Sequence, residues 1–179
     1  DAGINMVGGC CGTDPEYIAG LAGYRDSLED VPERAAKETG RAEQGSRGLR
    51  ICSSTDVVHV DHVTVIGERI NPTGKKRLKQ ALLEEDFDYI LTQAVEQIDA
   101  GAEILDVNVG VPSLDDVSML PRVIKKLQSI TGMPLQIDSS NPAAIEAALR
   151  VYNGKAIVNS VNGEPKVMDN IFPIVKKYG

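Results

Sequence analysis

Polar side chains end several apolar runs of this chain, and their types could form one binding site. Asp106, Asp138 and Asn159 each close such a run, and Asn108 stands two residues after Asp106. A carboxylate accepts hydrogen bonds from ring N–H and amino groups, whereas an amide both donates and accepts them. A single polar residue at a strand end is usually a turn or capping residue. Four of them at successive strand ends favour a site for a small polar heterocycle such as an aminopyrimidinone.

A further apolar run, 65–67, leads into a loop that carries Asn71, Gly74, Lys75 and Lys76. The two lysines stand at the start of the next predicted helix, where backbone N–H groups and cations can contact an anion or a polar ring. The alternative is an ordinary strand-to-helix loop with solvated lysines. The glycine spacing does not match a phosphate-binding loop.

Two adjacent cysteines, Cys10 and Cys11, follow a pair of glycines at the end of a predicted strand. Thiolates on such a turn can face one zinc ion, whose open corner would activate an incoming thiol. The alternative is two packed thiols with no metal. A third ligand is required, and Cys52, which lies past the linker, is not expected to supply it. His59 and His62 are interpreted as surface or linker residues.

The composition excludes several classes of protein. The net charge of −7 argues against a general binder of nucleic acid or of anionic membranes. Only two Phe and no Trp are present, so an aromatic platform for stacking bases is not expected. Three cysteines, two of them adjacent, argue against a disulfide framework and favour a cytoplasmic protein. The chain begins with Asp1, which suggests a piece of a longer protein.

The elements that position these residues form an α/β pattern of alternating strands and helices. We expect strands at 63–67, 103–108, 134–138 and 155–159, each followed by a helix. The first helix, 77–100, should break at 85–86; the second tolerates Pro121 only in its first turn; Asn141 and Pro142 open the third. The last helix is expected at 166–177, weakened by Pro173. Parallel units of this kind form either an eight-stranded barrel or a doubly wound sheet.

Several segments resemble the cobalamin-dependent methionine synthase family. Segment 3–13 (GINMVGGCCGT) resembles the end of its homocysteine-binding barrel. Segments IGERIN, LDVN, IDSSN and IVNS, which begin at residues 66, 105, 137 and 157, resemble the following pterin-binding barrel. The resemblance implies a (β/α)8 TIM-barrel type fold, present as the last unit of one barrel (1–26), a linker (27–62) and about half of a second barrel (63–179).

The resemblance further implies methyl transfer from 5-methyltetrahydrofolate through cobalamin to homocysteine, which yields methionine and tetrahydrofolate. Cys10 and Cys11 would be two of three zinc ligands that bind homocysteine as a thiolate. Cobalamin would be bound by another domain of the same protein, and nucleic acid or membrane partners are not expected. Because both sites are cut, we expect the 179-residue chain alone to be inactive.

For the pterin barrel, the resemblance implies that Asp138 and Asn159 hold the pterin ring as catalytic residues, with Asn159 near N5. The other residues implied in folate binding are Asn71, Gly74, Lys75, Lys76, Asp106 and Asn108. Two enzyme alternatives stay open, a stand-alone corrinoid methyltransferase and a dihydropteroate synthase-like enzyme; both would lack the paired cysteines. A third alternative is a non-catalytic folate-binding module, in which Asp138 and Asn159 only cap turns.

Overall fold

The computed structural model describes residues 49–179 and, before them, only Glu16, Ala19 and Gly20, which are helical. The chain divides into two units, 1–46 and 47–179, and residues 49–179 belong to the second. The strand and helix predicted at 3–24, apart from those three helical residues, lie outside the described residues.

The second unit begins with an antiparallel hairpin, in which β1 (Leu49–Cys52) pairs with β2 (Val57–Val60). The turn is closed by the Ser53 hydroxyl, which accepts hydrogen bonds from the backbone N–H groups of Thr55 and Asp56. Ile51 is buried, and Cys52 forms an isolated antiparallel bridge with Lys155. Regular structure therefore occurs within the segment 27–62 for which the sequence predicts a linker.

Four parallel strands follow in the order β3-β4-β5-β6, and a helix follows each strand. Their bounds are Ile66–Ile70, Ile104–Val107, Leu135–Asp138 and Ile157–Asn159. The predicted α/β fold is therefore confirmed. Strand β3 starts three residues later than the predicted 63–67, because Val63 is 92% exposed and the ladder with β4 begins only at Ile66.

Five helices cover one face of this sheet. They are α1 (Lys76–Leu83), α2 (Phe87–Asp99), α3 (Asp116–Gln128), α4 (Pro142–Val151) and α5 (Pro165–Tyr178). The predicted break between α1 and α2 is confirmed: Glu85 has a φ of 55°, and the Asp86 side chain caps α2 by accepting from Tyr89 N–H. Asn141 caps α4 in the same way, through Ala143 N–H. No helix among the described residues has the length and apolar character that a membrane span requires.

The expectation for Pro121 is wrong, because this residue lies inside α3, beyond its first turn. A proline there removes the hydrogen bond to the carbonyl four residues earlier, on Val117. Val117 is 37% exposed, so water can reach that part of the helix. The cost of the proline is offset by five buried side chains on α3: Met119, Leu120, Val123, Ile124 and Leu127.

The two faces of the sheet differ in chemistry. Leu105, Val107, Leu135 and Ile137 are buried in the core with the apolar faces of the helices. Side chains of a strand alternate between faces, so Asp106 and the other even-numbered residues of β4 and β5 lie on the opposite face. The helices thus fix the strands from one side and leave the second face for polar groups.

A buried glutamine of α2 completes the irregular strand β3. The register between β3 and β4 shifts between Gly67 and Ile70, and the Gln97 side chain accepts a hydrogen bond from Arg69 N–H over 2.6 Å. A Cβ on Gly67 would come within 2.7 Å of the Gln97 side-chain oxygen. A side chain at position 67 would therefore displace the Gln97 amide from the strand that leads into Asn71.

Candidate functional site

The strand register places the predicted polar residues next to one another. Asp106 on β4 pairs with Gln136 on β5, and Asp138 at the end of β5 pairs with Asn159 at the end of β6. Paired residues of parallel strands share a face, so these four side chains line the face opposite the helices. Polar groups at the carboxyl ends of parallel strands are the usual site of chemistry in such folds.

Asp138 is the centre of one hydrogen-bond network. Its Oδ2 accepts from Asn108 Nδ2 over 2.9 Å and from Asn71 Nδ2 over 3.4 Å. Asn108 is itself fixed, since its Oδ1 accepts from Gly110 N–H over 2.7 Å. Residues at the ends of β3 and β4 therefore orient the carboxylate at the end of β5. The other oxygen, Asp138 Oδ1, has no hydrogen-bond partner within residues 49–179. That oxygen remains available to a ligand.

Asp106 is the most buried charged group of the site, with 2% of its surface exposed. Burial raises the pKa of this carboxyl from 3.8 to about 6, and the negative charges of Asp138 and Glu68 act in the same direction. The hydrogen bond from the Gln136 side chain opposes this rise. The group can therefore exchange a proton near neutral pH.

The loop after β5 is held by a second carboxylate. Asp116, at the start of α3, accepts hydrogen bonds from Asn141 Nδ2 over 2.9 Å and from the Ser139 hydroxyl over 3.4 Å. Ser139 N–H in turn donates to the backbone carbonyl of Asn159 over 2.9 Å. These contacts tie the ends of β5 and β6 together directly beside Asp138.

The loop before α1 folds back on itself. Lys75 Nζ donates to Glu68 Oε2 over 2.9 Å and to the backbone carbonyls of Glu68 and Asn71. Gly74 has a φ of 73°, which disfavours other residues. Lys76 is exposed at the first position of α1 and makes no side-chain hydrogen bond with the described residues. The structure thus brings Asn71 to Asp138, whereas Lys75 is engaged by Glu68.

Two residues of the site were not among those predicted, namely Gln136 and Glu68. Gln136 precedes Asp138 by two positions in an otherwise apolar strand. Period-two alternation alone would have placed it on the same face. Glu68 has a weaker signal, because the irregularity in β3 obscures its orientation.

The metal prediction cannot be compared with the structure, because Cys10 and Cys11 lie outside the described residues. Residues 49–179 contain no group of three or more His, Cys, Asp and Glu side chains that could hold a metal. Cys52 is a free, half-buried thiol. His62 lies on the surface as predicted, and its ring contacts Asp61 over 2.9 Å and Glu103 over 3.0 Å, which raises its pKa.

Comparison with known proteins identifies the fold and the family. The dihydropteroate synthase of Thermus thermophilus aligns with a TM-score of 0.52 at 23% identity, over 73% of this chain and 46% of that one. The 7,8-dihydropteroate synthase of Vibrio fischeri aligns with a TM-score of 0.51 at 20% identity, over 70% of this chain and 47% of that one. The chain therefore spans about half the length of these structures, and the similarity is one of fold.

The family assignment rests on sequence. Residues 67–179, well over half of the chain, match the family described as Pterin binding enzyme. The matched region begins in β3 and includes all the strand ends described above. The chain belongs to the pterin binding enzyme family.

Proposed function

We propose that the polar strand ends of the 47–179 unit bind the pterin ring of a folate-type substrate. The observation that supports this best is the carboxylate of Asp138, held by Asn71 and Asn108 with one oxygen available. A fixed acceptor of this kind suits the adjacent ring N–H and amino groups of a pterin. Asn159, paired with Asp138, would supply an amide that donates and accepts at the next edge of the ring.

Two reactions of such an enzyme are candidates. The structural neighbours named above are dihydropteroate synthases, which favours a synthase-like reaction. The paired cysteines and the segment around them favour methyl transfer from 5-methyltetrahydrofolate to homocysteine by way of cobalamin. In that case Asn159 would hydrogen-bond near N5 and help the nitrogen become a leaving group as it is protonated. The activity of the complete protein stays a proposal in both cases.

Pterin binding is tested by isothermal titration of 5-methyltetrahydrofolate into the 179-residue chain, with Asp138→Ala as the variant. The loss of a charged hydrogen-bond acceptor should weaken binding by about 10- to 100-fold. Asp169→Ala, an exposed carboxylate on α5, is the matched control and should bind like the wild type. Equal affinity of a folded Asp138→Ala variant would refute the proposed site.

The two reactions are separated by ligand preference and by zinc content. Methyl transfer predicts tighter binding of 5-methyltetrahydrofolate than of 7,8-dihydropteroate, and a synthase predicts the reverse order. In the complete protein, where a third ligand would be present, methyl transfer also predicts bound zinc that is lost in Cys10→Ser and Cys11→Ser and retained in Cys52→Ser. If the 179-residue chain binds 7,8-dihydropteroate more tightly and the complete protein contains no zinc, the synthase-like reaction is favoured.

A further inference from the structure

Gln136 contacts the most buried carboxylate of the site from the neighbouring strand. Its Nε2 donates to Asp106 Oδ1 over 2.6 Å, and the two residues are partners in the β4–β5 ladder. The donor is therefore held by backbone pairing as well as by its own hydrogen bond. Asn159, at the end of β6, pairs with Asp138 in the next ladder.

We propose that Gln136 is a positioning residue, which orients the Asp106 carboxylate toward the pterin site and keeps it ionised at neutral pH. This inference rests on the proposed function for its effect on substrate, because Asp106 lies on the face of the sheet that would bind the ligand. The contact between Gln136 and Asp106 itself does not depend on which pterin binds.

The charges around Asp106 explain why such a donor is needed. The negative charges of Asp138 on β5 and Glu68 on β3 raise the pKa of Asp106 and so disfavour its ionised form. The ammonium group of Lys75 contacts Glu68 and donates to two backbone carbonyls, and it makes no hydrogen bond with Asp106. A buried carboxylate with acidic neighbours stays ionised only if hydrogen-bond donors stabilise its charge. Gln136 is such a donor, and its hydrogen bond to Asp106 is short.

The direct test measures the Asp106 carboxyl pKa by carbon NMR in the unliganded chain. Gln136→Met keeps the length of the side chain and removes the donor, so it should raise the pKa of Asp106 by about one, given the usual strength of a hydrogen bond to a charged group. Gln136→Glu, a second variant of nearly equal shape, adds another carboxylate and should raise that pKa further. An unchanged Asp106 pKa in either folded variant would overturn the proposal.

The functional test measures the affinity for 5-methyltetrahydrofolate as a function of pH. If ionised Asp106 accepts from the ligand, the affinity of the wild type should rise with pH through the region near 6. At pH 6 the Gln136→Met variant should bind about fivefold more weakly than wild type, because a smaller fraction of Asp106 is ionised. At pH 8.5 the two affinities should agree within about twofold, since Asp106 is ionised in both.

A double variant separates positioning from simple packing. In the Asp106→Asn background, Gln136→Met should no longer alter the pH dependence, because the titrating group is absent. A loss of affinity that is equal at pH 6 and pH 8.5 would indicate a packing role and overturn the proposal. If the wild type binds no pterin but the Asp106 pKa shifts as expected, the proposed function fails while the contact between Gln136 and Asp106 stands.

Discussion

At the scale of single residues, the site combines two carboxylates in different environments. Asp138 is half-buried and fixed by amides from β3 and β4, whereas Asp106 is almost fully buried beside Gln136. A carboxyl group whose pKa is raised by burial is a common feature of functional sites. Asp138 is placed to bind a ligand, and Asp106 is suited to respond to pH.

Burial of Asp106 predicts a measurable effect of pH on stability. Its pKa in the folded chain is about 6, above the ordinary 3.8, so the folded state binds the proton more tightly than the unfolded state. The free energy of unfolding should therefore fall as pH rises from about 4 to about 6, by up to about 3 kcal/mol from this group. Urea unfolding at several pH values measures the change.

The Asp106→Asn variant isolates this contribution. Other carboxylates, such as Asp86 and Glu103, have lowered pKa values and change the stability in the opposite direction. The quantity to compare is therefore the free energy of unfolding of the variant minus that of the wild type. This difference should be larger at pH 7 than at pH 4.5. A difference that does not depend on pH would contradict the raised pKa of Asp106.

At the scale of elements, one tyrosine connects the hairpin to the sheet. The Tyr152 hydroxyl, just after α4, donates to the backbone carbonyl of Cys52 over 2.9 Å and accepts from Leu135 N–H over 3.2 Å. Burial raises the pKa of Tyr152 to about 12, so the hydroxyl remains a donor over the whole range in which proteins are studied. Gly154 lets the chain after α4 pass close to the hairpin, since a Cβ at this position would overlap the Cys52 carbonyl.

Tyr152→Phe should destabilise the unit. Removal of the hydroxyl leaves Leu135 N–H without its partner at the start of β5, and a buried unpaired backbone donor costs about 1–3 kcal/mol. Denaturant unfolding followed by circular dichroism measures the loss. Tyr178→Phe is the control: its hydroxyl makes one longer contact of 3.4 Å with Glu146, so its effect should stay below about 0.5 kcal/mol.

At the scale of the whole unit, β3 and β6 are the edge strands of the four-stranded sheet within the described residues. Near β6 an apolar cavity of about 400 Å³ is lined by Leu49, Ile157, Phe172 and other residues. Phe172 is 52% exposed and Leu49 is 54% exposed. Unpaired strand edges beside exposed apolar groups favour association with another chain.

We expect the 179-residue chain to self-associate reversibly as its concentration rises. Phe172→Asp should reduce the weight-average sedimentation coefficient toward the value of the monomer, because it places a charge at the rim of the apolar cavity. Ile130→Asp serves as the control, since Ile130 is 45% exposed and does not line the cavity. Equal association of both variants would show that this cavity is not the contact.

Local sequence patterns were enough to predict the order of strands and helices and the residues at the strand ends. Apolar runs, glycines and capping residues are local signals, and they correctly predicted the helix break at 85–86 and the cap at Asn141. They did not reveal the hairpin, the position of Pro121 within α3, or Gln97 beneath β3. Gln97 in particular reaches Arg69 from 28 positions away in the chain.

How the polar residues act together depends on the tertiary structure. Only the register of the strands shows that Asp106 meets Gln136 and that Asp138 meets Asn159. Only the fold of the loop shows that Lys75 contacts Glu68. Residue types can be read from the sequence. Distances and burial arise from packing between residues far apart in the chain, such as Asn108 and Asp138, which are 30 positions apart. A pKa depends on those distances and on that burial, and for this reason the sequence could name Asp106 but could not predict its titration near pH 6.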